Sequence, residues 1–233
     1  MRFFFAERIE GDEVFFDKAE VLHIRKSLRK KIGDTIHVLD GRGSKYQCRI
    51  VEDGSDFSAR IDEVTFCPPS PYRLSIAIAI TKQVQRFEWF VEKAVELGIS
   101  EIIPLVSART EKARLKVERL RRIAISACKQ SGNPHLPSIV PPSTLEAVID
   151  SFHSDSGYIA HCEKNDLPYL GDVVTPNEKS LVLIGPEGDF TREEIRKAVQ
   201  SGLREISLGN LRLRTETAGI YVTSLFANIN QEK

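Results

Sequence analysis

The sequence lacks three short signatures that would settle a chemical class at once: its 233 residues contain no Cys-x-x-Cys pair, no Gly-x-x-x-x-Gly-Lys-[Ser/Thr] run and no Gly-x-Gly-x-x-Gly fingerprint. These absences argue against a zinc ribbon, a triphosphate-cradling loop and a dinucleotide-binding crossover. The four cysteines, Cys48, Cys67, Cys128 and Cys162, are too dispersed for a disulfide framework, and isolated reduced thiols suit the cytosol. No metal is expected. Long hydrophobic runs are missing as well. The longest, Leu74 to Ile80 with Ser75 inside it, is far too short to span a bilayer, and Arg2, Glu7 and Arg8 break up the first turns, so neither membrane insertion nor secretion is expected. Net charge is also lacking, because the 33 basic and 33 acidic residues cancel. No global positive field gathers nucleic acid, and any polyanion site must come from local clustering. What is present is 41% hydrophobic content, ample for one large domain or a small and a medium one.

From Arg2 to Phe66 the pattern is strand-like: Phe3 to Phe5, Val14 to Phe16, Thr35 to Leu39, Tyr46 to Glu52 and Phe57 to Val64 are short runs divided by turn residues. Asp40-Gly41-Arg42-Gly43 and Asp53-Gly54 supply hairpin chemistry, so the region reads as a small antiparallel barrel. A helix over Ala19 to Lys31, carrying Arg25, Lys26, Arg29, Lys30 and Lys31, interrupts it before Gly33. Pro68, Pro69 and Pro71 mark a boundary between a domain over 1–68 and another over 72–233. Beyond it, apolar strands at Leu74 to Ile80, Glu101 to Val106, Tyr158 to His161, Ser180 to Ile184 and Glu205 to Leu208 alternate with helices. The helices are expected at Val84 to Leu97, Lys116 to Ser131, Thr144 to Phe152, Arg192 to Ser201 and Thr217 to Asn228. That alternation predicts an α/β domain with a mainly parallel sheet. Thr191 with Glu194 forms a capping-box pattern, and Gly98 and Gly202 stand where helices should stop. Phe87, Phe90, Val91 and Ala94 share a helical core spacing, so the stripe Phe87, Trp89 and Phe90 reads as packing rather than as a base-stacking surface.

Two loops carry the chemistry. Leu181-Val-Leu-Ile-Gly185-Pro186-Glu187-Gly188 is a buried strand running into a glycine-bounded turn, and Leu208-Gly209-Asn210-Leu211-Arg212-Leu213-Arg214-Thr215-Glu216-Thr217-Ala218 again leaves a strand and enters a helix. Strand exits of parallel sheets are where ligands bind, and two such loops at neighbouring strands can form one pocket. Taken alone, Gly185-Pro186-Glu187-Gly188 also fits an ordinary tight turn.

At these loops the chain resembles the RsmE family within the SPOUT methyltransferases, whose cofactor loops read close to I-G-P-E-G-G and L-G-x-R-I-L-R-x-E-T-A. The likeness extends to Arg2-Phe3-Phe4, Leu22-His23, Leu28-Arg29, Asp40-Gly41, Glu92-Lys93, Glu96-Leu97-Gly98 and Pro104. The resemblance implies a PUA-like barrel for RNA contact over 1–68, a trefoil-knotted SPOUT domain over 72–233 and a homodimer. It also implies methylation of a uridine at N3 in 16S ribosomal RNA of the small subunit, with S-adenosylmethionine as the donor. Carried over residue by residue, the cofactor site falls on Leu183, Ile184, Gly185, Gly188, Leu208, Gly209, Leu213, Arg214 and Thr217, with His161 at the end of the neighbouring strand either bordering it or simply satisfied there. Glycines let backbone groups approach an adenine or ribose edge with no Cβ in the way. Three positions depart from the family pattern: Asp189 replaces a glycine, Leu211-Arg212 stands where arginine followed by an aliphatic residue is usual, and Asn133 replaces an arginine.

Between Arg109 and Lys129 there are eight basic residues and two acidic ones. Such a cluster either holds phosphates or is a solvated helix face, and the family resemblance favours the first. The expected RNA contacts are Arg2, Arg25, Arg29, Arg109, Arg114 and Arg212. Arg214 is the expected catalytic residue: it is a permanent cation able to stabilise the uridine anion but unable to act as a base. A barrel plus a basic helix would also serve a non-catalytic RNA-binding protein, the competing class.

Overall fold

In a computed structural model of the protein, residues 2–54, 57–111, 115–151, 153 and 155–231 are described. Two units emerge, one running through Pro69 and taking in Ile125–Leu136, the other comprising Ser70–Ala124 and the chain from Pro137 onward.

In the first unit, β1 (Phe3–Phe5), β2 (Arg8–Glu10), β3 (Glu13–Phe15), β4 (Thr35–Leu39), β5 (Ser44–Glu52) and β6 (Ser58–Phe66) form one sheet in the order β1-β4-β5-β6-β3-β2. Alternate positions such as Phe4, Val14, Ile36, Val38, Cys48 and Ile50 point inward to a shared core. The two edge strands are successive in the chain. Ala6 N–H continues the pairing to Leu39 at 2.9 Å while Glu7 N–H turns to Phe15 at 2.9 Å, which curls the sheet into a PUA-like half-barrel where a small barrel is expected. One pair departs from the antiparallel expectation, for β1 lies parallel to β4. The intervening β2, β3 and helical segment supply the long crossover that a parallel pair requires.

The helix expected over Ala19 to Lys31 is shorter. α1 (Lys18–Leu22) starts at Asp17, whose side chain accepts from Glu20 N–H, and gives way to a π-helical turn over His23–Ser27. Beyond it Arg29 sits at φ +52°. Like charges one turn apart, at Arg25, Lys26, Arg29 and Lys30, disfavour continuing the helix there. Glu20 is buried in this unit and accepts from Phe5 N–H at 2.8 Å and from Lys129 Nζ at 2.8 Å.

The second unit holds a parallel sheet in the order β10-β8-β7-β12-β11-β13, with β9 (Ser138–Ile139) beside β8. Its strands are β7 (Arg73–Ala79), β8 (Glu101–Val106), β10 (Ser143–Thr144), β11 (Ser156–Ala160), β12 (Lys179–Ile184) and β13 (Arg204–Ile206). The central strands are apolar at almost every position, as burial on both faces demands. Ala77, Leu181 and Leu183 face a core shared with α4 (Leu145–Asp150) and α6 (Arg192–Gln200). Ile78, on the opposite face, meets α7 (Thr215–Ile229) and the ring of Phe90 from α2 (Val84–Glu96) around Gly219. A basic helix, α3 (Val117–Ser131), and a single turn, α5 (Leu170–Val173), complete the unit's elements, α3 ending in the first unit. From β7 the chain steps outward to β8 and β10, then crosses to the other side for β11, β12 and β13. That reversal creates a switch point, where crevices open at the carboxyl ends of strands.

Candidate functional site

Ala160 of β11 pairs with Ile184 of β12 and with Ile206 of β13, so three adjacent strands end at one level. The loops leaving them enclose a cleft of about 300 Å³. Its floor and walls combine Ile184, Leu208 and Leu213 with Gly185, Gly188 and Gly209.

The loop after β12 is held from four directions. Asp189 N–H donates to Pro186 O at 2.9 Å, closing a turn. Gly185 packs so tightly on Phe190 that a Cβ would come 3.2 Å from that residue's ring and backbone nitrogen. The capping box forms as expected: Glu194 accepts from Thr191 N–H and, with its other oxygen, from Ala108 N–H, each at 2.8 Å. Arg109 donates to Gly188 O at 2.6 Å, so this arginine grips the cleft loop itself.

Asp189 explains why a glycine is usual at its position, since its φ is +63°. Aspartate tolerates that region better than most residues. It also adds a brace that glycine cannot: its carboxylate accepts from Cys162 N–H at 2.7 Å and from Phe190 N–H at 2.7 Å, joining the loops after β11 and β12.

His161 lines the cleft with its side chain fully buried. Its Nδ1 accepts from Glu163 N–H at 3.2 Å, which leaves the proton on Nε2, donated to Glu205 at 3.0 Å. The Glu205 carboxyl lies below its ordinary pKa, chiefly because Lys164 donates to it at 2.8 Å; burial opposes this and His161 adds to it. A depressed folded pKa means that the stabilisation is complete above the unfolded value and is lost as pH falls through the folded one. Acidifying from about pH 6 to about pH 3 should therefore cost the wild type about 1 kcal/mol more than Glu205→Gln, measured as the difference in melting-temperature decline. Parallel declines would remove Glu205 from the stability account.

On the third loop, Ser207 Oγ accepts from Gly209 N–H at 3.1 Å and fixes Gly209 at φ +114°. Thr215, in the first turn of α7, donates its hydroxyl to Gly185 O at 3.0 Å, tying the start of that helix to the loop after β12. Of the residues singled out in the sequence, His161, Ile184, Gly185, Gly188, Leu208, Gly209, Leu213 and Arg212 line the cleft. Leu183, Arg214 and Thr217 do not. Leu183 faces the core under α4 and α6, Arg214 is the exposed N-cap of α7, and Thr217 is exposed on the helix surface. Thr215 takes the position expected of Thr217, because two residues along a helix turn a side chain roughly 200° away. Three further contributors are Thr215, inside the second loop motif, and Ser207 and Asp189, each one residue outside the loop it braces.

The arginines expected to meet RNA are distributed. Arg2 and Arg29 are exposed on the first unit, where Arg25 is half-buried and held by Asp53. Arg114 lies outside the described residues. On α3, Arg121 and Arg122 are exposed, whereas Arg119 is paired with Glu88 and Lys129 with Glu20, so part of the basic cluster serves structure. Trp89, read as packing, is instead 47% exposed, while Phe87 and Phe90 are fully buried. Its position on α2 faces away from the stripe those two form. Among the described residues, no helix is long and apolar enough to cross a membrane.

Comparison with known proteins adds a family. Residues 68–227 match the model of the RNA methyltransferase domain, and residues 16–61 match that of the RNA methyltransferase PUA domain. A structure described as a "probable rRNA-methyltransferase", from Porphyromonas gingivalis, is 35% identical with a TM-score of 0.90, covering 99% of this chain and 98% of its own. A Ribosomal RNA small subunit methyltransferase E from Neisseria gonorrhoeae, bound to S-adenosyl methionine, is 27% identical with a TM-score of 0.88, covering 99% and 98%. The protein of the same name from Aquifex aeolicus is 27% identical over 98% of this chain and 100% of its own length.

Proposed function

This chain belongs to the RNA methyltransferase domain family, in its RsmE branch, and from that premise we propose that it transfers a methyl group from S-adenosylmethionine to N3 of a uridine in 16S ribosomal RNA. The observation that carries the cofactor assignment is the cleft itself, in which glycine backbones at 185, 188 and 209 meet at the ends of three parallel strands. The residues present suit the group. Leu208, Leu213 and Ile184 offer an apolar lining for an adenine, loop amides and carbonyls offer hydrogen bonds, and the acidic Glu163, Glu187 and Asp189 offset a cationic ligand. When bound, the cofactor supplies a methyl group activated by its sulfonium.

The chain's own residues do the rest. Arg109 and Asp189 brace the loop after β12 so that its backbone is preorganised. Arg214, at the mouth of α7, stabilises the negative charge that spreads over uridine O2 and O4 when N3 loses its proton. Arg2 and Arg29 of the small domain and Arg212 at the cleft hold phosphates. The PUA-domain match over residues 16–61 supports that RNA role for the small domain. A domain division near 1–68 and 72–233, a trefoil knot, a homodimer and a cytosolic site of action belong to the same reading. The 81% exposure of Leu211 beside the cleft supports a second copy covering that edge.

Calorimetric titration with S-adenosylmethionine tests the cofactor site. Gly209→Val should bind about thirtyfold more weakly, because a β-branched residue at φ +114° costs about 2 kcal/mol even though the Cβ itself meets open space. Equal affinity in the two proteins would place the cofactor elsewhere. Binding of RNA with no binding of S-adenosylmethionine would favour the non-catalytic RNA-binding class.

A further inference from the structure

The small domain carries a recess of about 420 Å³ that methyl transfer leaves unused. Its floor is apolar: Phe16 and Phe57 are almost wholly buried and meet edge to face, with ring centroids 5.7 Å apart. Its rim is cationic. Arg8 lays its guanidinium over the Phe15 ring, 4.2 Å from the centroid, and Arg25 lies 5.4 Å from that of Phe57. Both cations are also held by acceptors, Arg8 by Glu10 at 3.0 Å, Arg25 by Asp53 and by the Gly54 carbonyl at 2.8 Å. Lys18 stands on the same rim with no ion pair among the described residues, and Glu7 is the single acid among the described residues that line the recess.

These charges discriminate between ligands. The positive charges of Arg8 and Arg25 are already offset by Glu10 and Asp53, so what these residues still offer is flat π surface rather than net charge. A guanidinium plane backed by a ring, on a side chain more than half exposed, is a platform for an unstacked base. Lys18 retains its charge for the adjoining phosphate. An acidic peptide would find one uncompensated cation here, too little to hold it.

We propose that this recess seats one unstacked nucleobase of a single-stranded RNA segment, stacked on the outer face of Arg8 with a neighbouring phosphate at Lys18. This rests on the reading of RNA as the substrate and gives the small domain a nucleotide-sized site in addition to its scattered arginines.

The test uses the full chain and a short fluorescent single-stranded RNA, titrated at several salt concentrations with the wild type, Arg8→Ala, Arg8→Lys and Lys18→Ala. Arg8→Ala and Arg8→Lys should both weaken binding roughly fivefold or more with the salt dependence unchanged, because lysine keeps the charge and loses the plane. Lys18→Ala should lower the salt slope by about one. S-adenosylmethionine affinity and melting temperature, measured on the same samples, should not move. Arg8→Lys binding like the wild type would overturn the stacking site while leaving RNA as substrate. A wild type that binds S-adenosylmethionine but no RNA would overturn the substrate reading, and the recess with it.

Discussion

Replacing Arg214 by alanine is expected to lower turnover at saturating substrate about a hundredfold while changing the affinity for S-adenosylmethionine by less than about twofold. Arg214 is the N-cap of α7, exposed, outside the cleft lining, and its side chain makes no hydrogen bond or ion pair among the described residues. A cation at the positive end of a helix dipole is misplaced for stability, where Ser, Thr, Asp or Asn would cap the helix. On the proposed reading, this exposed guanidinium meets a negative charge that arrives with the substrate. On the same reading the uridine N3 anion is such a charge, and the gain is confined to the transition state because neutral uridine presents little of it. Two readouts separate this from a structural role. The melting temperature of Arg214→Ala should stay level or rise slightly, and Arg214→Lys should recover part of the turnover through charge alone. Wild-type turnover in the alanine variant would exclude Arg214 from the mechanism.

The second large effect concerns the fold that carries the cleft. Gly219 lies in α7 against α2 and β7, and a Cβ there would stand 2.5 Å from Phe90 and 2.9 Å from Ile78. Neither neighbour can retreat, since Phe90 and Ile78 are fully buried. Gly219→Val should therefore lift α7 away from the sheet at a cost of about 3 kcal/mol, lowering the melting temperature by roughly 6–12 °C. Since Thr215 at the start of α7 anchors Gly185, the variant should also bind S-adenosylmethionine more weakly at temperatures where it remains folded. A melting temperature within a degree or so of wild type would mean that the helix has freedom to shift, against the packing described.

The fold was legible wherever hydrophobic period and cap chemistry were strong. The apolar strands flanking the cleft, the Thr191–Glu194 capping box and the stops at Gly98 and Gly202, each at positive φ, all follow from local sequence. Strands of two or three residues, such as β2, β9 and β10, are too short to show a period. The parallel pairing of β1 with β4 is a long-range choice that no local pattern encodes. The π-helical turn at His23–Ser27 reflects crowding of like charges that simple helix periodicity does not weigh. In the site, the two glycine-bounded loops were readable because backbone approach requires those glycines. Side-chain commitments made at long range were not: Lys129 to Glu20, Arg109 to Gly188 and Asp189 to Cys162 bridge 109, 79 and 27 residues. Thr215 was missed in favour of Thr217 because the motif fixes spacing but not which side of a helix start faces the cleft.

Methyl transfer to N3 of uridine is tested most directly by transfer of label from methyl-labelled S-adenosylmethionine, with purified small ribosomal subunits and their naked RNA as separate acceptors, followed by nucleoside analysis of the labelled RNA. Label is expected in 16S ribosomal RNA as N3-methyluridine, dependent on Gly209 and Arg214. Label in a different nucleoside, or none from a protein that binds S-adenosylmethionine tightly, would contradict it.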